Sequence, residues 1–107
     1  MTVRVIIVPE AEARIDEIDA WWRTNRRAAK TLFRDEVTRA VELLQAQPKI
    51  GSVYRRRRAV RRLLLSRTEY FVYYQISQDT IFVVSVWSAR RGRGPKLPRF
   101  PRALASP

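Results

Sequence analysis

Three apolar runs follow one another through the second half of the chain: VRRLLL at 60–65, YFVYYQI at 70–76 and TIFVVSVWS at 80–88. Only short polar turns at 66–69 and 77–79 separate them, and connections that short join antiparallel neighbours. A meander of this kind has a face to bury, so the rest of the chain must cover it. In the second run Tyr70, Val72, Tyr74 and Ile76 fall on one face, and Phe71, Tyr73 and Gln75 on the other. The third run is apolar on both faces, which predicts a central place in the sheet.

The first half supplies the cover. Residues 3–8 (VRVIIV) form a β-branched run, read as a first strand. Pro9 then stands at the first position of a helix, with Glu10 and Glu12 in the first turn, where the helix dipole favours acids. Ala11, Ile15, Ile18 and Trp22 recur at helical spacing with Trp21 at the shoulder of the stripe, and packing against the sheet is the simplest role for both tryptophans. Thr24 and Asn25 break the pattern and can cap both neighbours. Ala29, Phe33, Val37, Ala40 and Leu44 predict a second helix, stopped by Pro48 and Gly51.

The expected fold class is therefore α+β: β-α-α-β-β-β, a twisted, mainly antiparallel four-stranded sheet packed on a helical hairpin. The opposite face is expected to stay partly open, lined by aromatics and approached by arginines. Residues 1–95 read as one domain. Residues 96–107, rich in proline and arginine, read as a tail that is extended or poorly ordered without a partner.

Charge narrows the function. The chain has 22 basic and 10 acidic residues and a net charge of +12. Residues 1–47 balance at eight of each, so the whole excess lies in 48–107, where Glu69 and Asp79 are the only acids. Segregation of this kind makes a directional positive field, suited to nucleic acid, the ribosome or an acidic protein. With no cysteine, nothing depends on a disulfide, and the cytoplasm is the expected compartment. No apolar run approaches the ~18 residues of a membrane span, and neither export nor a membrane contact is expected.

Several chemistries drop out. Without histidine or cysteine, a Ser–His or Cys–His nucleophile is impossible and the commonest metal ligands are missing, so no metal site and no cofactor are expected. Three glycines make no phosphate loop. The arginines Arg55–Arg58 form one block and must lie on a loop or a solvated edge. Arg61, Arg62, Arg67, Arg90 and Arg91 are expected to converge near one end of the sheet, where guanidinium groups beside aromatics suit phosphate contact and base stacking, or docking on an acidic surface. A nuclease built here would have to draw its general base from Glu69, Tyr70 or Tyr74.

The ordered set Val8-Pro9-Glu10-Ala11-Glu12, Pro48-x-x-Gly51-x-x-Tyr54, Val60-Arg61-Arg62-Leu63, Tyr70-x-Val72-Tyr73-Tyr74-x-Ile76 and Ile81-x-Val83-x-x-Val86-Trp87-x-x-Arg90-Arg91 resembles the ParE/RelE superfamily of bacterial toxins. It spans about residues 3–95. The resemblance implies the toxin half of a type II toxin–antitoxin pair with the β-α-α-β-β-β layout. RelE-like members cut mRNA in the ribosomal A site with arginine, lysine and tyrosine side chains, and that pattern would make Arg61, Arg67, Tyr74 and Arg90 the catalytic set. ParE-like members bind and inhibit DNA gyrase without catalytic residues of their own. The segment Val86–Gly92 looks more like this branch, although Ser88 stands where those members often have histidine. On the ParE-like reading, Arg61, Arg62, Arg67, Trp87, Arg90, Arg91 and Arg93 would bind the target. A cognate antitoxin would cover the hairpin and sheet edge through Ile18, Trp21, Trp22, Phe33 and Val37, giving a hetero-oligomer.

Overall fold

The structure is a computed structural model and describes residues 3–97. Its elements are β1 (Arg4–Ile7), α1 (Pro9–Asn25), a 3-10 turn (Arg27–Ala29), α2 (Leu32–Ala46), β2 (Ser52–Val53), β3 (Val60–Leu65), β4 (Tyr70–Ser77) and β5 (Thr80–Ser88). The sheet has five strands in the order β1-β5-β4-β3-β2. Strand β1 lies parallel to β5, and every other pairing is antiparallel. The expected α+β class, the hairpin over one face and the central β5 are all present.

The fifth strand is the departure. Ser52 and Val53 pair with Arg62 and Arg61, and the Tyr54 N–H donates to Val60 O at 2.8 Å. Two residues are too few to show a strand period, so sequence reads this stretch as loop. The turn before it is held from the sheet. The Tyr74 hydroxyl donates to Pro48 O at 2.8 Å and accepts from Gly51 N–H at 2.9 Å. Arg61 donates to Gly51 O at 2.8 Å and Lys49 O at 3.1 Å.

Helix α1 starts as its sequence requires. Pro9 occupies the first turn with Glu10 and Glu12, and Glu12 N–H donates to Val8 O at 2.9 Å. At its other end Asn25 Nδ2 caps Trp21 O at 2.9 Å. Asn25 serves this helix alone. The second helix begins three residues later than Ala29, at Leu32, because the 3-10 turn takes up Arg27–Ala29.

The two helices bury Ala11, Ile15, Ile18, Phe33, Val37, Ala40 and Leu44 against Leu65, Val72, Tyr74, Ile81, Val83 and Val86. Each large side chain so buried contributes about 1.5–3 kcal/mol. Asp19 ties the hairpin together. Its carboxylate accepts from Arg23 and Arg34, each at 3.1 Å, while Arg34 also reaches Asp16 at 3.0 Å. Burial alone raises the Asp19 pKa, but the hydrogen bonds from Arg23 and Arg34 outweigh it and hold the carboxyl below its ordinary 3.8. A carboxyl depressed on folding stabilises fully above its unfolded value and loses that contribution as pH falls through the folded one. Stability will therefore fall as pH drops below about 4, and Asp19→Asn will flatten that limb. Urea midpoints across the acid range read it, and an unchanged slope in the variant would show that Asp19 does not carry the effect.

A bulge in β5 decides what faces the other side. Tyr73 pairs with Ser85 but Tyr74 with Val83, so Val84 is an extra residue. Ile81 and Val83 face the helices before it, as does Val86 after it. Trp87, paired with Phe71, lands on the far face. There Tyr54, Val60, Tyr73 and Val84 form a second small core, flanked by Phe71, Phe82, Trp87 and Leu97. The face expected to be open is thus partly closed by the chain itself. The predicted tail falls mostly outside the described residues, and of it only Lys96 and Leu97 are seen, Leu97 packing on this cluster.

Candidate functional site

Strand alternation separates the arginines that sequence grouped together. Arg61 pairs with Tyr74 and Arg62 with Tyr73, so their side chains leave opposite faces of β3. Arg61 is spent on the Lys49 and Gly51 carbonyls. It lies four residues, about 13 Å of strand, from the Leu65 end where Arg67 and Arg90 stand. The expected convergence of Arg61, Arg62, Arg67, Arg90 and Arg91 at one end therefore does not occur.

At that end the β3–β4 turn is built by α2. The Glu36 carboxylate accepts from Arg67 N–H at 3.0 Å, Thr68 N–H at 2.9 Å and the Thr68 hydroxyl at 2.5 Å. Glu69 then takes a left-handed φ of 63°, an uncommon conformation for a side-chain-bearing residue. Its carboxylate binds Arg90 at 2.6 Å, which raises the Arg90 pKa further. Arg90 is thus neutralised inside the chain. The pair is exposed, so salt screens it and it adds little stability. Arg67 is exposed and its side chain makes no ion pair among the described residues.

The remaining arginines do come together, on the far face. A pocket of about 270 Å³ is lined by Tyr54, Arg56, Arg62, Phe71, Trp87, Arg91 and Arg93, among others, with no carboxylate in its wall. Arg62 lies over the Phe71 ring at 4.1 Å and reaches Tyr54 at 5.6 Å, while Arg91 lies over Trp87 at 4.5 Å. Cation–π contacts of this kind hold a guanidinium against a ring, and neither Arg62 nor Arg91 makes an ion pair among the described residues. The wall past β5 is fixed by Trp87 Nε1 donating to Arg93 O at 2.7 Å. Gly94 packs beside it so closely that a Cβ there would displace the Tyr54 hydroxyl.

Tyr74, proposed as a reacting group, is fully buried. Burial pushes its pKa up from 10.0, so near neutral pH it holds its proton and serves as a turn anchor. Of the five residues assigned to a partner, Ile18, Phe33 and Val37 are buried in the core. Only a partner that opened the fold would touch them. Trp22 is half-buried, and Trp21 is 46% exposed with Arg26 over its ring at 5.2 Å. Sequence reasoning missed a groove of about 300 Å³ between α2 and β3, lined by Leu32, Leu43, Leu63, Leu64, Arg39 and Arg67 among others. Leu43 and Leu64 are exposed there. Because β2 pairs only with Arg61 and Arg62, no strand pairs with the outer edge of Leu63–Leu65 among the described residues. Exposed leucines flanking a strand edge were the available signal. Also among the described residues, no three acidic groups stand close enough to hold a metal ion, and no helix is long and apolar enough to cross a membrane.

The family model for the ParE toxin of the type II toxin–antitoxin system parDE matches residues 5–93. That span takes in both helices, every strand from Val5 onward and the Arg91–Arg93 wall of the pocket. The chain belongs to the ParE toxin family. Among curated proteins, none matches it in sequence. As a ParE-family chain it is the toxin component of a type II toxin–antitoxin system, and membership implies a cognate antitoxin. The β-bulge and the C-terminal wall are then the features that place the basic and aromatic side chains of this toxin on one face.

Proposed function

We propose that this ParE-family toxin acts by binding DNA gyrase and not by breaking bonds, and that its antitoxin neutralises it by covering exposed apolar surface. The observation that carries the first part is the pocket on the far face, where four guanidinium groups and four aromatic rings meet with no carboxylate to act as a base. Arg62, Trp87, Arg91 and Arg93 are the target contacts, with Arg67 and the Glu69-paired Arg90 on the neighbouring rim. A ribonuclease built from Arg61, Arg67, Tyr74 and Arg90 finds less support, since Tyr74 and Arg61 are committed to the 48–51 turn.

The antitoxin contact belongs to the α2–β3 groove. An extended segment can add to the free edge of Leu63–Leu65 while its apolar side chains meet Leu43 and Leu64. Trp21 is the one exposed member of the sequence-based partner set and extends that contact onto α1.

Purified toxin will inhibit supercoiling by gyrase. Arg62→Glu with Arg91→Glu will abolish inhibition, while Arg26→Glu with Arg27→Glu on the hairpin joint will leave it nearly intact. Supercoiling unaffected by saturating toxin would overturn the gyrase reading. Codon-specific cleavage on translating ribosomes, read by toeprinting, would favour the ribonuclease.

A further inference from the structure

The pocket on the far face has a chemistry more specific than positive charge. Arg62 and Arg91 are stacked on Phe71 and Trp87 at 4.1 and 4.5 Å. Arg62 also lies 5.6 Å from the Tyr54 ring, so rings and guanidinium groups alternate along the wall. Such a wall suits a flat heterocycle, and guanidinium N–H donors suit phosphate oxygens. Arg56 and Arg93 are exposed on the same wall, and neither makes an ion pair among the described residues. The run Arg55–Arg58 continues the positive track beside Tyr54.

We infer that this pocket binds single-stranded nucleic acid, the bases stacking on the Arg62 and Arg91 planes and the phosphates bridging Arg56 and Arg93. The inference rests on the pocket being the target-binding face and names what that face grips: an unpaired strand held at the target. The pocket of about 270 Å³ shares Trp87, Arg93 and Gly94 with an adjoining hollow of about 800 Å³, so an extended strand has room to run from one into the other. A duplex fits poorly, because its bases are already stacked on one another and offer no free plane. An extended acidic peptide can pair carboxylates with the guanidinium forks but brings no aromatic base to stack among the rings.

The test uses the full chain without gyrase, so its result is independent of the supercoiling assay. Fluorescence anisotropy follows a labelled oligonucleotide of about ten nucleotides, with a duplex of the same length and a polyglutamate peptide as competitors. The single strand is expected to bind about tenfold or more tighter than the duplex, and polyglutamate to displace it poorly. Arg62→Gln with Arg91→Gln should weaken binding about tenfold, and Arg26→Gln with Arg27→Gln less than about twofold. If the first pair compromises folding, Arg56→Gln with Arg93→Gln reads the same pocket from exposed positions. Equal losses from pocket and hairpin-joint variants, a duplex bound as tightly as the single strand, or efficient displacement by polyglutamate would each overturn the assignment. Intact supercoiling inhibition alongside any of those results would leave gyrase binding standing and remove only the nucleic-acid strand from it.

Discussion

Phe33→Ala lowers the stability of the isolated toxin by about 3–5 kcal/mol, a large share of the roughly 5–15 kcal/mol available to a domain of this size. Phe33 is wholly inaccessible to solvent. Its ring meets Tyr70 edge-on with centroids 5.1 Å apart, and it sits among the residues that join α2 to the sheet. Truncation leaves a cavity that close-packed neighbours fill only in part. The loss will appear in urea or thermal denaturation with no antitoxin present. Trp21→Ala makes the contrasting measurement. Its exposed ring contacts Trp22 and Arg26, so its removal costs about 1 kcal/mol and chiefly weakens antitoxin binding. If Phe33→Ala instead left stability unchanged and only antitoxin affinity fell, the placement of α2 on the sheet would be wrong.

Tyr74→Phe destabilises the toxin by about 1–3 kcal/mol and leaves target inhibition intact wherever the variant is folded. The hydroxyl satisfies the part-buried Pro48 O and the buried Gly51 N–H together, and the loss of one oxygen leaves both without that partner. Gly51→Ala strikes the same joint from the other side. A Cβ at Gly51 would lie 2.7 Å from that hydroxyl and 2.8 Å from the Arg62 carbonyl oxygen, closer than carbon and oxygen pack, for a further cost of about 1–3 kcal/mol. Denaturation curves and the supercoiling assay separate the two roles of Tyr74. Full stability with lost inhibition would make Tyr74 a target contact and not a turn anchor.

The helices and the three-stranded meander were legible because their signals are local. Ala11, Ile15 and Ile18, then Phe33, Val37, Ala40 and Leu44, mark one face of each helix, and the buried side chains are these. Ile18, Phe33 and Val37 of these stripes were also assigned to the antitoxin. One surface cannot pack on the sheet and face a partner, and close packing against the sheet won. Period-two alternation in β3 already placed Arg61 and Arg62 on opposite faces. Adjacency in sequence concealed that, as did the unreadable two-residue β2 that brings Arg61 under the 48–51 turn.

The site itself was a matter of long-range geometry. Nothing in Val83-Val84-Ser85-Val86 announces a bulge: it holds neither glycine nor proline, and its single polar residue is the only irregularity. Yet the extra Val84 turns Trp87 away from the helices and toward Phe71. Residue order and spacing, acting over one or two turns or a few strand residues, were enough to set both helices, β1 and the meander, the central place of β5 and the asymmetry of charge. Which guanidinium groups stand free and which are consumed depends mostly on partners in other elements: Glu36 for the turn at Arg67, the Lys49 and Gly51 carbonyls for Arg61, and Phe71 for Arg62. A strand's pairing register is fixed by contacts across the sheet, and the pocket exists only once those contacts have formed.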